Sequence, residues 1–419
     1  MANMMDYLHW RGDLSLDSDP FNDVDNLLLS QIVYMDFQGQ VPENPGEEIP
    51  LKRAVDAYFE KMLGKDLHLG AVISPLIFDM AKKMATAPRF EWMGMTAYCN
   101  EIKESSDGQS QWMALTLLLE DGTLYIAFGG TDDTIVSWKE DFDMAVCETI
   151  PAQRQAADYA RRVMLAYPDR RVRLGGHSKG GNLAIYAAAK CGGDLQDRIV
   201  TVYANDAPGF SKSFLADPEY LAVKNRVRLL IPDRSFVGLL FYHDARRVIV
   251  KCSEKSIRQH DCFSWLVERN YPEQAPAIAG EALLLRKAVE AWMNDMTVEE
   301  RKAFLEAFYK ALTGFEAKTL TDLMEDRAIL LRSYRKLEPE QRRVIRDTLK
   351  RLLSSGREVY ASVLAKPAAA PKEEVQMTKT AKKAPKIGSK TKTGFVTHLD
   401  GATIGVKAGK KRKTSERSS

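Results

Sequence analysis

The sequence is poor in cysteine, in histidine and in long apolar runs, and each shortage excludes something. Its five cysteines (Cys99, Cys147, Cys191, Cys252 and Cys262) are odd in number and show no C-x-x-C spacing. That argues against a disulfide framework and for a reducing compartment. No stretch approaches the roughly 18 uncharged apolar residues of a membrane-spanning helix. The opening Met1-Ala2-Asn3-Met4-Met5-Asp6 has neither a basic segment nor an apolar one, so no signal peptide is read and the expected location is the cytoplasm. No residue pattern implies a metal or an organic cofactor. With only six histidines, the search for a general base is short.

What is present is globular. The chain has 419 residues and is 45% apolar, enough to bury a sizeable core. Its net charge of +3 hides an asymmetry. Residues 366–419 hold 14 Lys/Arg against 4 Asp/Glu, so the rest of the chain is mildly acidic. The stretch from Lys366 through Pro367 to Pro371 reads as a linker, and the Lys/Thr/Ala-rich tail after it reads as disordered. Such a tail suits an anionic membrane surface, whereas the acidic body argues against nucleic acid as a partner. Nothing in the sequence fixes an oligomeric state.

Between these ends the pattern changes twice. A helical run ends near Val33, and residues 50–90 carry apolar positions at helical spacing. Met113–Leu119 and Leu124–Phe128 read as strands flanking Asp121-Gly122, a hairpin signal. A helix over 152–167 and strands at 172–174, 199–203, 227–231 and 248–250 then alternate with helix, which predicts a mostly parallel sheet with helices on its faces. Residues 275–362 are charged and helical. The expected organisation is an α/β domain over 1–270, a helical appendage over 271–362 and a basic tail over 363–419.

The informative segment is Leu174-Gly175-Gly176-His177-Ser178-Lys179-Gly180-Gly181-Asn182. It contains G-x-S-x-G as Gly176, Ser178 and Gly180, between an apolar strand and a small-residue helix. A serine nucleophile needs a tight strand-to-helix turn that lifts its hydroxyl above the sheet and tolerates only glycine on either side. The bare pattern is common, and the strand and helix around it give it weight. The bland alternative is a glycine turn that happens to hold a serine.

A serine needs a base, and the order expected in such folds is Ser, then Asp or Glu, then His after the last strand. His260 follows the strand at 248–250 and is preferred. His243 precedes that strand and is the alternative. For the acid, Asp233 after the strand at 227–231 is preferred over Asp206 after the strand at 199–203, although either could be a turn-former. The oxyanion donors expected are the N–H of Lys179 and, from Phe128-Gly129-Gly130-Thr131, the N–H and hydroxyl of Thr131.

On these residues the chain resembles the class-three lipases. Their F-x-G-T, Trp, Asp pattern is matched by Phe128, Gly130, Thr131, Trp138 and Asp141. Their G-H-S-x-G-G elbow is matched by Gly176 to Gly181. Their N-x-V-R strand leading to Asp is matched by Asn225, Val227, Arg228 and Asp233. The opening Asp6-Tyr7-Leu8-His9-Trp10-Arg11-Gly12-Asp13 is similar to an uncharacterised bacterial family of lipase-like proteins. The resemblance covers about residues 1–270 and implies an α/β-hydrolase fold. It departs at Gly129, where Arg is usual, and at Lys179, where Leu is usual. The second departure sets a cation beside the nucleophile and argues against a purely apolar acyl site. The expected activity is serine hydrolysis of carboxylic esters, lipid or small, through an acyl-enzyme. The rival is a non-catalytic lipase-like binding or scaffold protein.

Overall fold

The computed structural model describes residues 1–364 apart from 68, 71, 106–107, 133–134, 314–318 and 320–327. The chain opens with helices α1 (Met4–Arg11) and α2 (Asp23–Ile32), then strand β1 (Ile49–Pro50) and helices α3 (Leu51–Lys61) and α4 (Leu76–Met84). The sheet continues with β2 (Gly94–Ser105), β3 (Gly108–Leu118) and β4 (Leu124–Phe128). After α5 (Ile135–Asp143) and α6 (Pro151–Ala166) come β5 (Val172–His177) and α7 (Lys179–Lys190). Short helices α8 (Gly193–Gln196), α9 (Lys212–Leu215) and α10 (Pro218–Val223) surround β6 (Ile199–Asn205) and precede β7 (Val227–Pro232) and β8 (Arg246–Val250). The helices α11 (Gly280–Asn294), α12 (Val298–Thr313), α13 (Ala328–Lys336) and α14 (Pro339–Leu364) complete the described chain.

The eight strands lie in one sheet in sequence order. Neighbours from β1 to β4 run antiparallel, and those from β4 to β8 run parallel. The expected mostly parallel sheet flanked by helices is therefore present, and the fold is that of an α/β-hydrolase. The hairpin over Asp121-Gly122 is also present, joining β3 to β4. Strand β2 was not expected, and its irregularity explains why. The β2–β3 register shifts between Thr96 and Cys99, and Ala97 takes φ 53° there. The extra residue breaks the alternation by which a strand is recognised.

Both faces of the sheet are covered, as parallel strands require. Strand β4 shows how. Leu124, Ile126 and Phe128 pack in the layer that holds α6 and α7, while Tyr125 and Ala127 pack in the layer that holds α1 to α4. Helix α2 is fixed by its cap. The Asn22 side chain accepts from the N–H of Val24 and Asp25, while Asp25 accepts from the N–H of Asn22 at 3.0 Å. Asp25 is itself buried and paired with the buried Arg89 at 2.5 Å.

The helices after the sheet reach back to α5 and the residues just after it. Arg301 of α12 donates from Nη1 to the carbonyl of Ala145 at 3.1 Å, and the Lys139 ammonium lies 5.8 Å from the Tyr309 ring centre. Among the described residues no helix is long and apolar enough to cross a membrane. The basic tail lies outside the described residues, save the last turn of α14.

Candidate active site

Strand β5 delivers Ser178 to the carboxyl edge of the sheet, and α7 begins at the next residue. The turn between them is sharp. Ser178 takes φ 58° and ψ −130°, a left-handed backbone that L side chains rarely adopt. The flanking glycines are required by close approach. A Cβ on Gly176 would sit 2.4 Å from the carbonyl oxygen of Gly180, and one on Gly180 would sit 2.1 Å from that of Phe128. The serine is thus held at the N-terminus of α7, where unpaired N–H groups favour negative charge.

His260 stands over this turn, on the loop that follows β8. Its Nδ1 lies 2.7 Å from Oδ2 of Asp206. A carboxylate only accepts, so Nδ1 carries the hydrogen and Nε2 is left with its lone pair. Asp206 is buried, takes φ 47° at the end of β6, and uses its other oxygen as well. Oδ1 accepts from the Gly238 N–H at 3.0 Å and from the Ser235 hydroxyl.

The acid expected from the sequence is corrected by this geometry. Asp206, not Asp233, meets His260. Asp233 instead clips backbone: its N–H reaches the Val250 carbonyl at 2.9 Å, and its carbonyl receives the Ala279 N–H at 2.6 Å. The physical reason is lateral spacing. Asp206 ends the strand next to the one that carries Ser178, whereas Asp233 ends β7, one strand spacing of about 4.8 Å further off. The loop bearing His260 folds back over the end of β6. His243, the alternative base, is half-buried beside Gly209, where a Cβ would meet its Nε2 at 3.0 Å, and it does not line the cavity described below. Burial lowers its pKa to about 4.

Two residues near the serine act in ways the sequence does not reveal. His177 is buried and places Nε2 2.6 Å from the His260 carbonyl, so that nitrogen donates. Burial, with the His260 ring 4.4 Å away between centres, holds the His177 pKa well below the usual histidine value. Tyr34, from the end of the first helical region, accepts the Gly130 N–H on its hydroxyl at 2.9 Å and so fixes the loop that carries Thr131.

On that loop, Thr131 donates its hydroxyl to Oδ2 of Asp141 at 2.5 Å. Burial raises the Asp141 carboxyl to about 6, against the pull of Lys179 and of the Thr131 hydroxyl. Lys179 corrects a second expectation. Its ammonium does not stand beside the nucleophile. It is fully buried and turns away, 3.2 Å from Oε2 of Glu140. The cation is therefore not part of the lining of the cavity described next.

Ser178, His260, Thr131 and Asp141 open on one cavity of about 490 Å³, whose walls include Met144, Phe236, Val237, Leu240 and Phe241. Its size and lining suit an apolar ligand with a few convergent polar groups. Among the described residues no cluster of His, Cys, Asp and Glu could hold a metal ion.

A mostly parallel sheet with a serine on a glycine-bounded elbow at its carboxyl edge defines a lipase-like α/β-hydrolase fold. More particularly, the chain belongs to the Mbeg1-like family, whose model matches residues 84–310, more than half of its length. Comparison with curated proteins gives no match. Solved structures similar to the chain include a Rhizomucor miehei lipase propeptide complex, at 16% identity and TM-score 0.31, covering 41% of this chain and 59% of that one. Lipase II from Rhizopus niveus matches at 15% identity and TM-score 0.30, covering 42% of this chain and 80% of that one. A mutant of MDLA from Penicillium cyclopium matches at 11% identity and TM-score 0.35, covering 63% and 91%. The chain thus spans about three-fifths of the Rhizomucor miehei complex's length.

Proposed function

We propose that the protein is a serine hydrolase that cleaves carboxylic esters, of lipids or of small acyl compounds, through an acyl-enzyme. One observation carries the reading: a serine strained onto an elbow shares an apolar cavity with a histidine whose far nitrogen is hydrogen-bonded to a buried aspartate. In this reading Ser178 Oγ attacks the ester carbonyl and passes its proton to Nε2 of His260. Asp206 holds the ring by its Nδ1–H and stabilises the imidazolium that forms. The charge on the former carbonyl oxygen is held by the N–H of Lys179, at the start of α7, and by the N–H of Thr131, whose hydroxyl hydrogen is already given to Asp141. Collapse of the tetrahedral intermediate expels the alcohol, which takes the proton back from His260. Water then repeats the sequence on the acyl-enzyme and releases the acid.

The test is covalent labelling with a fluorophosphonate probe, comparing wild type with Ser178→Ala. Labelling of the wild type alone supports the reading. Equal labelling of both removes Ser178 from it. A folded wild type that resists the probe favours the binding or scaffold protein instead.

A further inference from the structure

We propose that the side chain of Lys179 is the positioning residue of the oxyanion pocket, locking its two halves together through a buried ion pair. The inference rests on the hydrolase reading above and concerns a side chain that touches no substrate.

Lys179 has two ends with two tasks. Its backbone N–H follows Ser178 at the first position of α7 and is the oxyanion donor in the hydrolase reading. Its ammonium runs the other way and uses three donors: the Gln111 carbonyl at 3.1 Å, the Ser137 hydroxyl at 2.8 Å and Glu140 Oε2 at 3.2 Å. Glu140 is equally satisfied. Its Oε2 also accepts from the Gln111 N–H at 3.1 Å, and Oε1 accepts from the Ala152 N–H at 3.3 Å. Ser137 closes the cluster by donating to Gln111 Oε1 at 2.9 Å. The two charged side chains are 0% and 1% exposed. A buried ion pair so completely hydrogen-bonded is rigid, because any displacement strands a charge away from water.

The position of Glu140 gives the cluster its consequence. Ser137 and Glu140 belong to α5, and the next residue is Asp141, which receives the Thr131 hydroxyl. One oxyanion donor belongs to Lys179 itself, at the start of α7. The other, Thr131, is held by Asp141 on α5. The Lys179 ammonium bonds these two helices directly, through Glu140 and through Ser137. An apolar residue after the serine would serve the backbone N–H equally well but would leave α5 untethered to the elbow. Oxyanion donors act by being fixed before charge develops, so a loosened α5 costs rate rather than affinity.

The test compares wild type, Lys179→Met and the double variant Lys179→Met/Glu140→Leu. The double variant leaves no unpaired buried charge and guards against simple unfolding. Three readouts are used: thermal melting, kcat and KM on a soluble p-nitrophenyl ester, and amide hydrogen exchange over residues 135–143. In the folded double variant the expected result is a kcat lower by about tenfold or more, KM within about twofold, and faster exchange in α5. A folded double variant with wild-type kcat overturns the proposal, as does unchanged exchange in α5. A wild type that neither labels at Ser178 nor turns over ester overturns the hydrolase reading itself, a result distinct from either.

Discussion

His260 gives its Nδ1–H to Asp206 at 2.7 Å, and Asp206 ends the strand adjacent to the one that carries Ser178. Asp206 and Ser178 thus hang from neighbouring strands, and in the proposed reading they are the acid and the nucleophile, with His260 as the base from a loop. Replacing Asp206 by Asn keeps the shape but lets the ring adopt the wrong tautomer. The expected loss in kcat is about 10³-fold or more. Asp233→Asn, whose side chain takes no part, should stay within about threefold of wild type. His260→Ala should be inactive where His243→Ala is not. Steady-state kinetics on one soluble ester decides all of these.

His177 predicts a subtler loss. Its ring donates to the His260 carbonyl, so it holds the loop rather than reacting. Because burial keeps it neutral across physiological pH, its role should not change between pH 6 and 8. His177→Phe removes the donor and should slow turnover by about tenfold at every pH in that range. His177→Gln, which retains a donor, should recover part of the rate. A His177→Phe defect that varied with pH would count against this role.

Asp141 sets a pH dependence of stability whose sign can be stated. Its carboxyl titrates at about 6 in the folded protein, chiefly through burial, against about 4 in an unfolded chain. Between those values the folded state holds a proton that the unfolded state has released. The stabilising contribution is full below about pH 4 and is lost as pH rises through about 6. Asp141→Asn is neutral throughout. The melting temperature of wild type relative to Asp141→Asn should therefore increase as pH falls from 7 to 4.5. A difference that stays constant, or that shrinks, contradicts the assignment.

The basic tail yields a prediction from sequence alone. Residues 366–419 carry 14 basic and 4 acidic side chains, and their few large apolar residues are scattered among them. Deleting them should leave thermal stability and soluble-ester turnover nearly unchanged. If the tail tethers the protein to anionic lipid, full-length protein should sediment with anionic vesicles at low salt and not at 1 M, where the Debye length is about 3 Å. A truncated protein that sediments equally well would place the lipid contact in the folded body.

Much of the fold is legible in the residues because each element announces itself locally. The elbow is written in four glycines around a serine, the hairpin in Asp121-Gly122, and the parallel strands in short β-branched runs between helices. What escapes is set by distant chain. The Asp206–His260 contact spans 54 residues and depends on how one loop folds back. The Lys179–Glu140 pair spans 39 residues, and no local rule tells which way a lysine beside a serine will turn. The feature that points to Asp206 is plain in retrospect: an Asp ending the strand that immediately follows the elbow helix. Strand β2 is hidden for the opposite reason, since a local irregularity at Ala97 disguises a regular long-range pairing.

The backbone at Ser178 bears on how such a site persists. A left-handed conformation costs any residue except glycine about 1–3 kcal/mol. For folding alone, glycine is the better residue at position 178, and mutation towards it would make the molecule sturdier. The serine is thus a standing concession by the fold, tolerated because a large core surrounds it. In the hydrolase reading, stability and chemistry make opposite demands on this one residue, and the sequence sides with chemistry.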